Sequence, residues 1–435
     1  MQYYARHPVN ATFTGIHTHD HLLPDWSAAA RAADAQEMHA LHAALLAAWP
    51  RTDAITWRHD PDALDAELAR ANLELRLAEI ASGHFVEGNP ALWTGEAIFG
   101  VVALMIRPFA AAEERVPAII ARLNAIPAFI APLAQTIPAA PTAWIARAQR
   151  ECEAAQRLFS TGLARWAADA GLPPAHTAAI ESAAAPARAA FVATAAVLEA
   201  LPRVDERPVG VEFLSLALRR GHFVHRSLPE LRTAIDHPMR DARARLASMS
   251  ADAGGWATAS AAMAADHPTA EGYLESFTRR WQECHAHALA HDLVSWSDWP
   301  IRYVPIPTWA QEVAPTLYWL FYRSPAPFDP YTTYDYVVTP IDATLDAATT
   351  ATRLRAWNHS TITLNHVVHH GAIGHHVQNW HATHRSRSRL GTIAAVDCAS
   401  RIGMFLGGSM AEGWACYATD LMDETGFLTP LERLS

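Results

Sequence analysis

A-L-D-A-E-L-A-R-A-N-L-E-L-R-L-A-E-I, residues 63–80, decides the fold class. The run is built from strong helix formers, and its leucines return at helical spacing. Leu64, Leu68, Leu73, Leu75, Leu77 and Ile80 supply an apolar face. Pro61 suits a first helical position, and Asp60 before it can cap the free N–H groups. The same grammar extends both ways. Pro24 stops one element, and Ser27 caps an alanine-rich run reaching about Trp49. Pro90 and Trp93 mark the break before an apolar helix near residues 95–107. Helical segments punctuated by Pro117, Pro127, Pro132, Pro138 and Pro141 come next, and alanine-rich helices continue to about residue 200. No long apolar–polar alternation of the kind strands show occurs in this half.

A charged, proline-bearing turn at residues 203–208 is the candidate boundary between a region 1–205 and a region 206–435. Helices resume near 211–219, 229–246 and 268–291. Residues 295–330 differ, being rich in Trp, Tyr and Pro. Within them 302–306 reads as a strand, 331–340 as its possible partner, and the aromatic 317–330, with Arg323, as a cleft wall or a structural belt. Helices at 361–384, 393–405 and 409–424 complete the pattern, and Pro430 opens a last helix inside which the chain stops, as a truncated product would. The expected fold is mainly α: a large multi-helix domain, continuous or in two regions, with at most a few short strands near 300–340.

Composition narrows the function. The 435 residues are 51% hydrophobic and 18% charged, enough for a large core. Lysine is absent, so the Lys+Arg count is all arginine, and the net charge of −10 argues against a nucleic-acid binder, which needs a basic footprint. Cys152, Cys284, Cys398 and Cys416 show no paired spacing and read as reduced, buried thiols of a cytoplasmic protein. The N-terminus lacks a basic head followed by an apolar run, and no apolar stretch is expected to reach membrane-spanning length.

Chemistry concentrates in residues 365–378, N-H-V-V-H-H-G-A-I-G-H-H-V-Q. An imidazole in apolar surroundings needs hydrogen-bond partners or a metal. Downstream, M-A-E-G-W-A-C-Y-A at 410–418 carries one acid, Glu412, in an uncharged helix. Histidines followed by such an acid form a His/His/Glu zinc pattern. On a regular helix the four-residue rule favours His366 with His370. His369 with His375 or His376 needs a break, for which Gly371 and Gly374 provide the backbone freedom. A histidine network without metal fits the same residues. His17, His19, Asp20 and His21 are ligands by type but read as a segment leading into a helix. His287 and His291, four apart, read as surface histidines.

These motifs resemble the bacterial "domain of unknown function 885" family, which is similar to zinc metallopeptidases. Its signature, His-Glu-Ala-x-Pro-Gly-His-His-x-Gln followed by Glu-Gly-Trp-Ala-x-Tyr, corresponds to H-H-G-A-I-G-H-H-V-Q at 369–378 and E-G-W-A-C-Y at 412–417. G-I-H-T-H-D-H-L-L-P-D-W-S at 15–27, R-L-N-A-I-P at 122–127 and the aromatic 317–327 extend the resemblance over most of the chain. It implies a helix-rich fold with a metal cleft and ligands at His369, at His375 or His376, and at Glu412. His370 stands where the family has its presumed catalytic Glu, and Ile373 where it has Pro. The family also continues well beyond residue 435. The expectation is a zinc-dependent hydrolase of a small peptide or amide substrate. His369, His375 and Glu412 hold the metal, His370 takes the base position, His376 is a substitute ligand or oxyanion donor, and Trp414 and Tyr417 pack beside the site. The rival expectations are a metal- or ligand-binding relative that lost hydrolysis with the Glu, and a helical protein with structural histidines.

Overall fold

The computed structural model describes residues 2–435 apart from 51–56, 58, 297, 312, 314–325, 331–332, 342–343 and 395–407. Most of the aromatic 317–330 segment, Arg323, Cys398 and most of the helix expected at 393–405 lie outside the described residues. The fold is mainly α, with a few short strands. Local signals placed the first helices. Ser27 Oγ accepts from Ala30 N at the start of Ala28–Ala48, and Asp60 accepts from Asp62 N and Ala63 N at the start of Pro61–Ser82. The helix Pro90–Ile106 is apolar on every side and buried on nearly every side. Ala112–Ile130 and Thr142–Arg157 pack against it, and Pro174–Ala200 packs across those two, to form the main core. That core reaches Leu201 and also takes in Ile306, Trp309, Ala310 and Val313. It therefore draws on both sides of the turn at 203–208. Within that turn β2 (Arg203–Val204) pairs in parallel with β1 (Ala140–Pro141).

A second core lies under the site. Tyr273–Ala290, the segment Ile362–Gly371 and the helix Gly408–Glu424 pack together over the pair β3 (Ile301–Pro305) and β4 (Tyr334–Val338). The strands run parallel, with Tyr303 opposite Tyr336. Both strands fall where the aromatic composition placed them.

The structure corrects four expectations. Of the six residues assigned to the apolar face of Pro61–Ser82, only Leu75 is buried, whereas Asp65, Glu67, Arg70, Arg76 and Glu79 are buried. Each of these charges has a partner: Arg70 and Arg220 meet Glu67, Arg76 meets Glu79, and Asp65 accepts from Ser388 Oγ and Leu390 N. Buried charges require such pairing; two pairs lie within one helical turn, but Arg220, Ser388 and Leu390 lie too far along the chain for periodicity to reveal them. Cys416 is exposed, not a buried core thiol, because it lies on the outer side of its helix. By length and composition alone, 112–136 and 174–200 could cross a membrane, although both helices put a face into the main core. The helix expected at 361–384 is broken, as described below.

The two N-terminal motifs meet in a buried charge network. Arg122, fully buried, donates to the carbonyls of Leu22 (3.0 Å) and Pro8 (3.3 Å) and to Thr12 Oγ1 (2.7 Å), and also binds the Gly100 carbonyl. Thr12 in turn donates to Asp20 at 2.6 Å. His17 bridges Asp20 and Asp329, each at 2.8 Å, and stacks on Phe109. His17 and Asp20 thus hold the fold together and are not ligands. Burial alone would lower the His17 pKa, but the two carboxylates outweigh it and raise the value to about 9. The folded state therefore favours the imidazolium. Its stabilisation is fully present below the ordinary value of 6.5 and is lost as pH rises through about 9. The Tm should fall between pH 6.5 and 9, and His17→Gln should flatten that slope. Equal slopes in the two proteins would contradict the imidazolium bridge.

Candidate metal centre

The histidine stretch folds as two helices that meet at a break. Ile362–Gly371 is a π-helix, and His375–His384 is an α-helix. π-Helical hydrogen bonds run from i to i+5, so the four-residue rule that paired His366 with His370 does not hold here. Between the two helices Gly374 N returns to the Val368 carbonyl at 2.9 Å. Gly374 permits this turn because a Cβ there would lie 1.9 Å from the His369 carbonyl oxygen. At Gly371 a Cβ would lie 2.1 Å from the Tyr303 hydroxyl oxygen. The break brings His375 back beside His369, with ring centroids 4.8 Å apart.

Glu412 completes the group. One carboxylate oxygen lies 3.3 Å from His369 Nε2 and the other 3.5 Å from His375 Nε2. Donors about 2.1 Å from a shared tetrahedral ion stand about 3.4 Å apart, so the Glu412 carboxylate stands from each imidazole at the spacing of two ligands on one zinc ion. One ligand atom each from His369, His370 and His375 also lie within 4.8 Å of one another. Burial pushes the pKa of all three rings down, to about 4 at His370 and about 3 at His375. At His369 the nearby Glu412 opposes that effect. Imidazoles must be neutral to coordinate, and these rings are held neutral.

The other expected residues are placed elsewhere. His366 is buried, with its Nδ1 bound to the Tyr336 hydroxyl and its ring stacked on Trp357 at 4.4 Å. His376 is fully buried, with Nε2 3.0 Å from the Trp299 carbonyl and its ring against Tyr334. It packs behind His375, and as the next residue on the helix it projects about 100° away from that side chain. Tyr417, half-exposed, lies five residues after Glu412 on the same helix and so projects to a different side. His287 and His291 have rings 4.3 Å apart, and His287 meets Thr425 Oγ1.

Two indoles hold the break. Trp414 Nε1 donates to the carbonyls of Ile373 (3.0 Å) and Gly374 (3.2 Å), and Trp281 Nε1 donates to that of Gly371 (2.8 Å). Trp414 lies two residues from Glu412, so its bond ties the helix bearing the acid to the turn bearing the histidines. Trp414 was visible in the motif. Trp281 carried no sequence signal, because it lies 90 residues away from its partner. Loss of an outer-shell bond of this kind lowers metal affinity about 10–100-fold. We therefore expect Trp414→Phe to weaken zinc binding within that range in a chelator competition, with little change in the Tm of the metal-free protein. Unchanged affinity would remove Trp414 from this positioning role.

Comparison with known proteins adds the fold and the family. The chain is similar to the solved structure of a "putative lipoprotein of unknown function" from Shewanella oneidensis, with TM-score 0.69 and 18% identity over 100% of this chain and 78% of the other. It is also similar to the "putative lipoprotein" from Colwellia psychrerythraea, with TM-score 0.70 and 15% identity over 99% of this chain and 77% of the other. At these identities the likeness shows a shared fold. No curated protein matches the chain. The family described as "Bacterial protein of unknown function (DUF885)" matches residues 8–435, and the chain belongs to that family.

Proposed function

We propose that the chain holds a divalent metal ion, zinc by its donor set, in a hydrolytic centre directed at peptide or amide bonds. The observation that carries the metal is the spacing of Glu412 from His369 and His375, 3.3 and 3.5 Å. The choice of bond rests on the resemblance of the two motifs to zinc metallopeptidases. When bound, the ion would polarise a carbonyl and lower the pKa of a coordinated water toward neutrality. The protein's own part is to hold three donors in place. Glu412 supplies the anionic donor, and the glycine-lined break fixes the two imidazoles. His370 donates Nδ1–H to the Asn365 carbonyl at 2.6 Å, which puts its lone pair on Nε2, the atom that can take a proton.

A second reading has one observation in its favour. The position that the family gives to a carboxylate base is His370 here, so the chain can be a metal-binding relative without hydrolysis. Peptide and amide substrates incubated with zinc-loaded protein separate the two. Cleavage that disappears on chelation, returns with zinc and is absent from Glu412→Gln supports the hydrolase. If His370→Glu alone cleaves, the wild-type centre is degenerate. Cleavage indifferent to chelation would contradict both readings of the site.

A further inference from the structure

We infer that His370 is a fourth metal ligand, making the centre a cage of three histidines and one carboxylate for a divalent transition-metal ion. The inference rests on the reading that this site holds a cation and takes its second, non-hydrolytic form, in which His370 gives the Nε2 lone pair to the metal rather than to a proton. Three observations point to it. First, ligand atoms of His369, His370 and His375 converge within 4.8 Å of one another. Second, the His370 ring sits 4.7 Å from that of His369 and 5.2 Å from that of His375, so it borders both of the histidines nearest Glu412. Third, His370 Nδ1 is engaged by the Asn365 carbonyl at 2.6 Å. Metal-bound histidines almost always donate the second ring N–H in this way, which fixes the tautomer and aims the other nitrogen at the ion.

The change from carboxylate to imidazole at this position then has a chemical meaning. A base must keep its lone pair for a proton, whereas a ligand gives that lone pair to the metal. With His369, His370, His375 and Glu412 all coordinating, a tetrahedral ion has no position left for water. Such a centre binds its ion more tightly than three donors would and hydrolyses poorly while His370 stays on. Three imidazoles and one carboxylate also suit iron(II), cobalt(II) and manganese(II), so the cage is not restricted to zinc.

Cobalt(II) is the probe, because its visible absorption reports the number and type of donors without any turnover. The full chain, His370→Ala and the bulk-preserving His370→Gln are titrated with cobalt(II), and the melting of each metal-free protein is recorded beside the titration. We expect the wild-type protein to give a four-coordinate spectrum. Both variants should bind at least tenfold more weakly, with weaker bands as water enters. If both keep the wild-type affinity and spectrum, His370 is not a ligand, although the three-donor site stands. If the wild-type chain takes up no cobalt, zinc or manganese, the metal reading fails and this inference falls with it.

Discussion

Gly374→Ala is expected to weaken metal binding severely and to destabilise the fold. The added Cβ would lie 1.9 Å from the His369 carbonyl oxygen, 2.6 Å from the carbonyl carbon and 2.8 Å from the Val368 oxygen. All three are backbone atoms, so no side chain can swing aside to make room. The turn must open, and it is this turn that sets His369 beside His375. Overpacking of this kind costs about 1–3 kcal/mol. Displacing both flanking ligands should lower affinity on the order of a hundredfold, as the loss of well-placed outer-shell support does. Gly413→Ala is the control. It neighbours Glu412 on the Gly408–Glu424 helix, and a Cβ there meets nothing within 4 Å. Removing a helix-interior glycine should stabilise by about 0.5–1 kcal/mol. Denaturant melts and zinc titrations of the two variants read both effects. Wild-type zinc affinity in Gly374→Ala would show that the break is not what assembles the site.

Arg122→Leu carries the largest expected loss of stability. The guanidinium is fully buried, and burial pushes its pKa down to about 10 even though Asp20 and Glu96 oppose the shift. Its N–H groups satisfy the carbonyls of Leu22, Pro8 and Gly100 and the Thr12 hydroxyl. Leucine would fill part of the volume and leave those acceptors unpaired. Asp20, 4.0 Å from the guanidinium, would keep His17 but lose its second cation. Removing one partner of a buried charge pair costs about 3–5 kcal/mol. That is a large share of a domain's net stability, roughly 5–15 kcal/mol. The variant should unfold at much lower urea concentration, or fail to accumulate folded, whereas Arg302→Leu should change little because Arg302 and its partner Asp335 both reach solvent. A loss below about 1 kcal/mol for Arg122→Leu would contradict the network's structural role.

How far the sequence could be read follows from the range of each interaction. Ser27 and Asp60 announce their helices because capping acts within three residues. The strands at 301–305 and 334–338 show in local aromatic composition. The pairing of His369 and His375 with Glu412 came from motif resemblance, against a spacing rule that assumed a regular α-helix. The two glycines hinted at the break, but a π-helix leaves no periodic trace in ten residues. Least legible were contacts across long separations. His17 meets Asp329 across 312 residues, and Arg220 meets Glu67 across 153. Those partners turn a segment read as a helix entry and a helix face read as apolar into buried structural charge. His376 and Tyr417 were assigned to the site from the motifs; His376 packs against Trp299 and Tyr334, and Tyr417 lies half-exposed against Trp414.

The most direct test of the account is the metal content of the purified chain beside Glu412→Gln and His369→Ala, each after reconstitution with zinc and removal of loosely held ion. The account predicts close to one zinc per wild-type chain and a large loss in both variants, with the folded state retained. No bound metal in the wild-type protein after reconstitution with zinc, manganese and cobalt would contradict it, leaving His369, His375 and Glu412 as a hydrogen-bonded cluster without an ion.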